Sequence, residues 1–188
     1  FENPDCTFAA WTGDTGGVDD TDDDSTSVTV NGDTTLTATF NVPAATLYVA
    51  TDGDDSDDGL ADTYDGQHGP KATVQAAIDA AFDGDTVVVA MGTYAEEIDF
   101  GGRDITVTGS DPDDAAVVAA TVISGISGGG NMTDTTVVTF DGGETNAAVL
   151  RGVRIAVYMG TGVSLGNSSD PTISQCEIVG VSMENSTG

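Results

Sequence analysis

Short runs in which apolar and polar residues alternate follow one another along the chain after residue 85. A period of two is typical of β-strands with one buried face, and the Gly, Asp and Asn between the runs are turn residues. The runs are TVVVA, EEIDF, DITVTG, AATVISG, TVVTF, AVLRGVRIAVY and PTISQCEIVG. We therefore expect a series of short strands that continues to the end of the sequence.

One segment has a different period. Residues 72–82, ATVQAAIDAAF, place apolar side chains at helical spacing and are followed by Asp83 and Gly84, which terminate helices. The apolar positions are Val74, Ala77, Ile78, Ala81 and Phe82. A single predicted helix is too little for a doubly wound α/β sheet, so the sequence predicts an all-β fold, either a sandwich or a solenoid.

A repeated spacing favours the solenoid. Val153 recurs as Cys176, and Ile155 recurs as Ile178 after the same interval. The interval is a suitable length for one turn of a β-solenoid, in which equivalent residues of successive turns stack on one another.

Two zones of different composition meet near NVPAAT, and they predict a small β-rich module at residues 1–42 and a larger domain at residues 43–188. In the first zone, SVTVNGDTTLTATF alternates on both sides of an Asn-Gly-Asp sequence. That combination predicts a β-hairpin with its turn at residues 31–33.

The first zone also resembles the divergent internalin-type B repeat of bacterial and archaeal surface proteins. The residues that carry the resemblance are Phe8, Trp11, Gly13, Asp14, Val28, Asn31, Gly32, Asp33, Leu36, Ala38 and Phe40. They match the later half of such a repeat, so the resemblance implies a partial module whose opening strands would precede Phe1. The family implies a small spacer or adhesive module without catalytic activity.

The second zone resembles the right-handed parallel β-helix proteins of the pectate-lyase-like superfamily. The resemblance covers about residues 47–188, and its most specific part runs from YVATDGDD to GDTVVVAMGTY. It implies a right-handed parallel β-helix in which the helix of residues 72–82 caps the first coil and residues 84–94 begin the first rung. The later SSDPTISQCEIVG resembles a degenerate coil, which implies that Ile173, Cys176 and Ile178 point inward. Because this fold hosts lyases, hydrolases, adhesins and inert fibres, it does not indicate an activity.

The charge of the chain excludes some partners. Thirty-two acidic residues stand against four basic ones, and the formal net charge is −28. Binding of nucleic acid needs clustered Lys and Arg, so we expect no nucleic-acid partner. An acidic surface of this kind suits a halophilic or otherwise salt-rich extracellular setting, because salt screens the repulsion between carboxylates. The sequence lacks an apolar run of about 18 residues, so we predict no membrane insertion. Cys6 and Cys176 are expected to be unpaired thiols.

Residues 54–65, DDSDDGLADTYD, fit the spacing of a calcium loop, with oxygen ligands at positions 1, 3, 5, 7, 9 and 12 and a glycine at position 6. The candidate ligands are Asp54, Ser56, Asp58, the Leu60 carbonyl, Asp62 and Asp65, with Gly59 at the sharp turn. Position 12 is usually Glu, and flanking helices are not predicted. A solvated acidic loop without metal therefore remains the alternative to calcium binding.

The basic residues and the histidine do not form a recognisable catalytic site in the sequence. Arg151 and Arg154 lie three positions apart, which on one strand directs them to opposite faces, so we interpret them as partners of neighbouring carboxylates. His68, the only histidine, and Lys71 lie in a Gly-rich loop, where surface roles are more common.

We therefore expect a non-catalytic extracellular or cell-surface protein with a structural or adhesive role. Head-to-tail self-association into filaments, stabilisation by calcium and binding of a polysaccharide are its predicted interactions. The alternative is the amino-terminal part of a polysaccharide lyase or glycosidase of the β-helix superfamily.

Overall fold

A computed structural model describes residues 6–125, 135–158 and 160–180. The chain divides into two compact units, Phe1–Pro43 and Ala44–Gly188. Strands dominate both units, and the strands of the second unit form parallel sheets, so the predicted all-β class is confirmed. In the described part of the chain, neither α-helix is long and apolar enough to cross a bilayer.

The first unit is built on two antiparallel strands, β1 (Thr7–Gly13) and β2 (Leu36–Asn41). Phe8 of β1 lies opposite Phe40 of β2, with their rings edge to face and their centroids 5.9 Å apart. At the other end of the ribbon, the Thr35 amide donates to a carboxylate oxygen of Asp14 at 3.0 Å. Cross-strand aromatic packing and this side-chain bond together hold the ribbon in register.

The predicted hairpin around residues 31–33 is wrong. Residues 27–30 do not pair with β2; Val28 forms an isolated bridge with Val18, and the Thr29 amide donates to the Gly17 carbonyl at 2.8 Å. Val28 and Val30 are 42% and 58% exposed. Residues 27–30 do alternate in polarity, but β2 pairs with β1 instead. This pairing brings Phe40 against Phe8, a contact that a local hairpin would not provide.

The second unit contains twelve strands and two helices in the described residues. In chain order they are β3 (Thr46–Val49), α1 (Val74–Ala80), β4 (Thr86–Val89), β5 (Gly92–Ala95), β6 (Ile98–Asp99), β7 (Thr106–Gly109), α2 (Ala115–Ala120), β8 (Thr121–Ser124), β9 (Thr135–Phe140), β10 (Val149–Arg151), β11 (Arg154–Val157), β12 (Gly160–Leu165), β13 (Thr172–Ser174) and β14 (Glu177–Gly180).

These strands form three parallel sheets, ordered β13-β10-β7-β4-β3, β14-β11-β8-β5 and β12-β9-β6. From β4 onward, the chain contributes one strand to each sheet in succession and then returns to the first. Each strand therefore pairs with the equivalent strand of the previous turn. Because the next strand always belongs to a different sheet, a connection can be as short as two residues, as between β4 and β5.

Apolar side chains stack in columns inside the three sheets. In the five-stranded sheet, Leu47, Val87, Val107 and Leu150 pair in register, and each is at most 2% exposed. The ring of Phe140, in β9, lies 4.2 Å from the ring of Phe100, which directly follows β6, and both rings are fully buried. This continuous column of branched and aromatic side chains is the core of the unit.

The repeated interval is confirmed, since Ile155 of β11 pairs in register with Ile178 of β14. Ile173 likewise pairs with the buried Leu150, so both isoleucines continue inward columns. However, Ile173 is 38% and Ile178 57% exposed, because β13 and β14 are the outermost described strands of their sheets. Cys176 is partly buried, and its Sγ lies 3.6 Å from the Leu150 carbonyl. Both cysteines are free thiols.

Helix α1 forms within the predicted segment. The Thr73 hydroxyl accepts the Ala76 amide as its N-cap, and the buried face joins the apolar core. The inclusion of Phe82 in that face is wrong, since Phe82 is 58% exposed. The backbone becomes extended at Ala81, so helical spacing no longer applies to Phe82.

Three features of the second unit were not predicted. Helix α2 precedes β8, and the Asp114 carboxylate caps it by accepting the Ala116 amide. Strand β12 also escaped prediction, and AVLRGVRIAVY and PTISQCEIVG each divide into two strands. The first division occurs at Gly152, whose φ of +66° turns the chain from one sheet to the next.

Candidate functional site

The connection between β3 and α1, residues 50–73, contains seven of the aspartates and all six predicted calcium ligands; we call it the acidic loop. Its middle, at Gly59, and its far end, at Lys71, run beside β3. The Tyr48 amide donates to the Gly59 carbonyl at 2.7 Å, and the Lys71 amide donates to the Tyr48 carbonyl at 2.9 Å. The loop therefore has a fixed path along the outer side of β3.

Gly59 occupies the position for which the calcium-loop pattern requires glycine. Its φ is +84°, and a Cβ atom at this position would lie 3.4 Å from the Leu47 side chain in the core. The predicted sharp turn is confirmed. The same turn brings the Gly59 amide to the Gly69 carbonyl at 2.9 Å, which closes the middle of the acidic loop.

The structure separates the predicted ligands into two groups. Asp54 and Asp62 line an open cleft of about 410 Å³ together with Asp52 and Asp57, which the pattern did not select. Asp58 and Asp65 are instead directed toward His68.

The carboxylates of the first group accept hydrogen bonds from neighbouring residues of the acidic loop. Asp54 Oδ1 accepts the Ser56 amide at 2.8 Å and the Ser56 hydroxyl at 2.7 Å, and these bonds lower the pKa of Asp54. Ser56 thus serves as a hydrogen-bond donor to Asp54. Asp62 accepts the Thr63 hydroxyl at 3.2 Å.

The second group bonds to His68, Asp58 at the imidazole and Asp65 at the backbone amide. Asp58 Oδ2 lies 2.5 Å from His68 Nδ1, while Asp58 Oδ1 accepts the Leu60 amide at 3.0 Å. Asp65 accepts the backbone amides of Gln67 and His68. The bond with Asp58 raises the pKa of His68. Burial raises the pKa of Asp58, but its bonds with Leu60 and His68 outweigh this and lower it.

This arrangement does not gather a metal centre. Within residues 6–125, 135–158 and 160–180, the structure does not bring three or more His, Cys, Asp or Glu side chains into a group that could hold a metal ion. Calcium binding by the six predicted residues stays a prediction, and the carboxylates as they stand satisfy N–H and O–H donors of the loop itself.

Asp55, which the sequence did not single out, anchors the end of the acidic loop. Its Oδ1 accepts the amides of Ala72 and Thr73 at 2.9 Å each, and its Oδ2 accepts the Thr73 hydroxyl at 3.0 Å. The acceptor and its donors are far apart in the sequence, so local sequence patterns give no signal for the contact.

Glu96 stabilises the start of α1 from another turn of the chain. It accepts the Val74 amide at 2.8 Å and the Gln75 amide at 2.9 Å. These amides are among those that a helix leaves unsatisfied at its N-terminus, where a negative charge is also favourable. Burial raises the pKa of Glu96 in spite of both bonds.

Buried carboxylates also join successive turns of the second unit. Asp85, 4% exposed, accepts the Ala45 and Phe82 amides at 2.7 and 2.8 Å. Glu144, 1% exposed, accepts the Gly102 amide at 2.8 Å, the Gly142 amide at 3.3 Å and the Ser169 hydroxyl at 2.6 Å. The donors to Glu144 lie in the connections that follow β6, β9 and β12. One side chain thus joins three consecutive turns.

Two of the four basic residues, Arg154 and Lys71, have structural partners, whereas the buried Arg151 Nε has none in the described part of the chain. Arg154 contacts Glu177 through Nη2 at 2.7 Å and through Nε at 2.8 Å, so its interpretation as a partner of a nearby carboxylate is confirmed. Lys71 Nζ donates to the Asp55 carbonyl at 2.9 Å. Arg151 ends β10 and Arg154 begins β11, so the two belong to different sheets rather than to opposite faces of one strand.

Comparison with protein families supports the interpretation of the first unit. Residues 3–43 match the family model described as the divergent InlB B-repeat domain. The predicted resemblance to this repeat is confirmed, and the match is limited to the first unit. A comparison with curated proteins and a comparison with solved structures return no significant match.

Proposed function

We propose that this chain is a non-catalytic, surface-associated protein with a structural or adhesive role, in which a B-repeat module precedes a right-handed parallel β-helix. The observation that carries the proposal is the match of residues 3–43 to the divergent InlB B-repeat domain. Such a repeat suggests a surface protein, and an extracellular location follows as part of the proposal.

The winding of the second unit supports a right-handed β-helix. Every described neighbour pair in the three sheets is parallel, and the chain returns to each sheet after visiting the other two. Connections between parallel strands of one sheet are right-handed in about 98% of cases, because a right-twisted strand favours that crossover. An experimental density map tests this directly, and left-handed coils would contradict it.

The buried carboxylates also support a structural role. Both oxygens of the Asp85 carboxylate and both oxygens of the Glu144 carboxylate accept hydrogen bonds from the chain itself. Their function is then to join turns of the coil, which suits a protein whose task is to maintain its shape. Activity assays of residues 1–188 on neutral, sulfated and uronic polysaccharides test the non-catalytic assignment, and turnover of any of them would refute it.

Head-to-tail self-association into filaments and its stabilisation by calcium complete the proposal. Electron microscopy and light scattering, each with and without calcium, test both parts. Monodisperse monomers under both conditions would eliminate filament formation, while filaments that are indifferent to calcium would eliminate only the cation.

One observation favours the alternative, the amino-terminal part of a polysaccharide lyase or glycosidase. The outward side chains of the five-stranded sheet, all within the described residues, include no carboxylate, although the chain has 32 acidic residues. They are Thr46, Tyr48, Thr86, Val88, Thr106, Thr108, Val149, Arg151, Thr172 and Ser174. Hydroxyl groups, a tyrosine and an arginine suit a polysaccharide partner. Polymer binding that Arg151→Ala weakens, with turnover by a longer chain, would support this alternative.

A further inference from the structure

The outer edge of β3 is covered by the acidic loop rather than by another strand. β3 is the last strand of the five-stranded sheet and pairs with β4 on one side only. On its other side, the Tyr48 amide and carbonyl bond to Gly59 and Lys71, and the Ala50 amide donates to the Lys71 carbonyl at 3.0 Å. Val49 and Lys71 form an isolated parallel bridge. The loop therefore occupies the hydrogen-bonding positions that a neighbouring strand would use.

Few apolar contacts hold the acidic loop in this place. Within it, only Gly59, Gly69 and Pro70 are buried. The rest of the acidic loop is attached by polar contacts, which are the backbone bonds of Gly59 and Lys71 with Tyr48 and, at the far end, the exposed bonds of Asp55. Segments with few buried apolar contacts open locally at a much smaller cost than global unfolding.

Charge repulsion within the acidic loop acts in the same direction. Seven aspartates face one lysine, Lys71, and one histidine, His68, over residues 50–73. Like charges at these separations repel one another unless salt screens them. The inner strands have no comparable weakness, since their amides bond to neighbouring strands above a buried apolar column.

We propose that the acidic loop is a removable cover of β3, and that its release allows β3 to pair with β3 of a second copy of this chain. An uncovered strand edge is a template for another strand, and two identical edges make a symmetric pair. β3 and the residue after it, TLYVA, have no charged side chain, and the outward face of their sheet has no carboxylate. The paired edges themselves therefore contribute no carboxylate, and salt screens the repulsion between the released acidic loops that follow β3 in each copy. The inference goes beyond the proposed function, because a symmetric β3 pair is a closed dimer contact and differs from the head-to-tail contact of a filament.

Hydrogen exchange of the unchanged chain tests the cover. We expect the Tyr48 and Ala50 amides to exchange at least about tenfold faster than the Val149 amide, which bonds to the Ile105 carbonyl between two inner strands. Equal rates would mean that β3 is uncovered only by global unfolding, which would overturn the inference. This measurement needs no substitution, so it tests local opening of the acidic loop even where a variant fails to fold.

Substitutions test whether the partner of β3 is β3 of a second copy of this chain. Asp55→Ala removes three hydrogen bonds at the far end of the loop without altering β3, and Asp62→Ala is the matched control because the Asp62 carboxylate bonds only to Thr63 among the described residues. In about 1 M salt, where the Debye length is about 3 Å, we expect concentration-dependent dimers of Asp55→Ala and monomers of Asp62→Ala by light scattering. Adding Tyr48→Pro, which removes one of the donors on the outer edge of β3 and no bond to β4, should restore the monomer. Monomeric Asp55→Ala with fast exchange at β3, or dimers that persist with Tyr48→Pro, would overturn the pairing.

Discussion

Replacement of Glu144 offers a strong test of how the turns of the second unit are joined. In Glu144→Ala, the Gly102 and Gly142 amides and the Ser169 hydroxyl lose their shared acceptor. Hydrogen bonds to a charged group contribute about 1.5–3 kcal/mol each, and they are not additive. Water can reach part of the vacated space, so we expect the free energy of unfolding to fall by about 3 kcal/mol. Glu144→Gln keeps one acceptor oxygen, and its loss should be smaller.

The effect of Glu144→Ala should depend on pH. Burial raises the pKa of Glu144, but the bonds from Ser169, Gly102 and Gly142 outweigh it, and the pKa lies below its usual value. A carboxyl whose pKa is lower in the folded state stabilises the protein above its unfolded pKa, about 4.3 for Glu. That contribution is lost as the pH falls through the folded pKa. The difference between wild type and Glu144→Ala should therefore be full at pH 7 and shrink in acid.

Urea unfolding followed by far-UV circular dichroism measures both effects. Glu97→Ala is the matched control, because Glu97 is exposed and makes no hydrogen bond within the described residues; we expect it to remain within about 0.5 kcal/mol of wild type. If Glu144→Ala were as stable as Glu97→Ala at pH 7, the role of Glu144 in joining three turns would be refuted.

Three further predictions concern the acidic loop and the helix that follows it. Thr73→Ala removes the N-cap of α1 and should lower the stability of the second unit by about 1 kcal/mol, measured by thermal unfolding, whereas Thr73→Ser should be nearly neutral. His68 is the only histidine, so its NMR titration is unambiguous; its pKa should exceed the usual value, and Asp58→Asn should lower it. Since the folded pKa is the higher one, the stabilisation by the His68 charge is present in acid and lost as the pH rises through that pKa, and a titration unchanged by Asp58→Asn would contradict the pairing. Finally, calorimetry should show calcium binding that Asp54→Ala with Asp58→Ala abolishes, and binding that survives both changes would reject the assigned ligands.

The strands of the second unit could be predicted because their signal is local. Branched residues alternate with polar ones, and the column of Val87, Val107 and Leu150 follows from that alternation once the strands are stacked. The interval between Ile155 and Ile178 could be recognised for the same reason, since the connections between them are short. Other turns have connections of unequal length, which hide the repeat.

The failures arise where distant residues decide the structure. Val28 and Val30 alternate like a strand, but the partner of β2 is β1, which lies much further upstream in the sequence. Phe82 fits the helical period but lies beyond the point where the backbone becomes extended.

The acidic loop shows the same limit in the candidate site. The spacing of its aspartates matched a calcium loop, and it located the sharp turn at Gly59 correctly. It could not show that Asp58 and Asp65 meet His68, or that Asp55 bonds to the distant Ala72 and Thr73. In a chain this rich in aspartate, the role of each carboxylate depends on which amide the fold brings to it.

The unequal lengths of the connections between strands show where this chain can accept insertions. The turn from Val87 to Val107 is less than half as long as the next one, from Val107 to Leu150, which accommodates α2, yet both pairs remain in register. The part of the added length that forms α2 lies between β7 and β8, outside the strands, and the paired strands stay in register. The connections are therefore natural sites for grafting new segments, while the rungs preserve a constant framework beneath them.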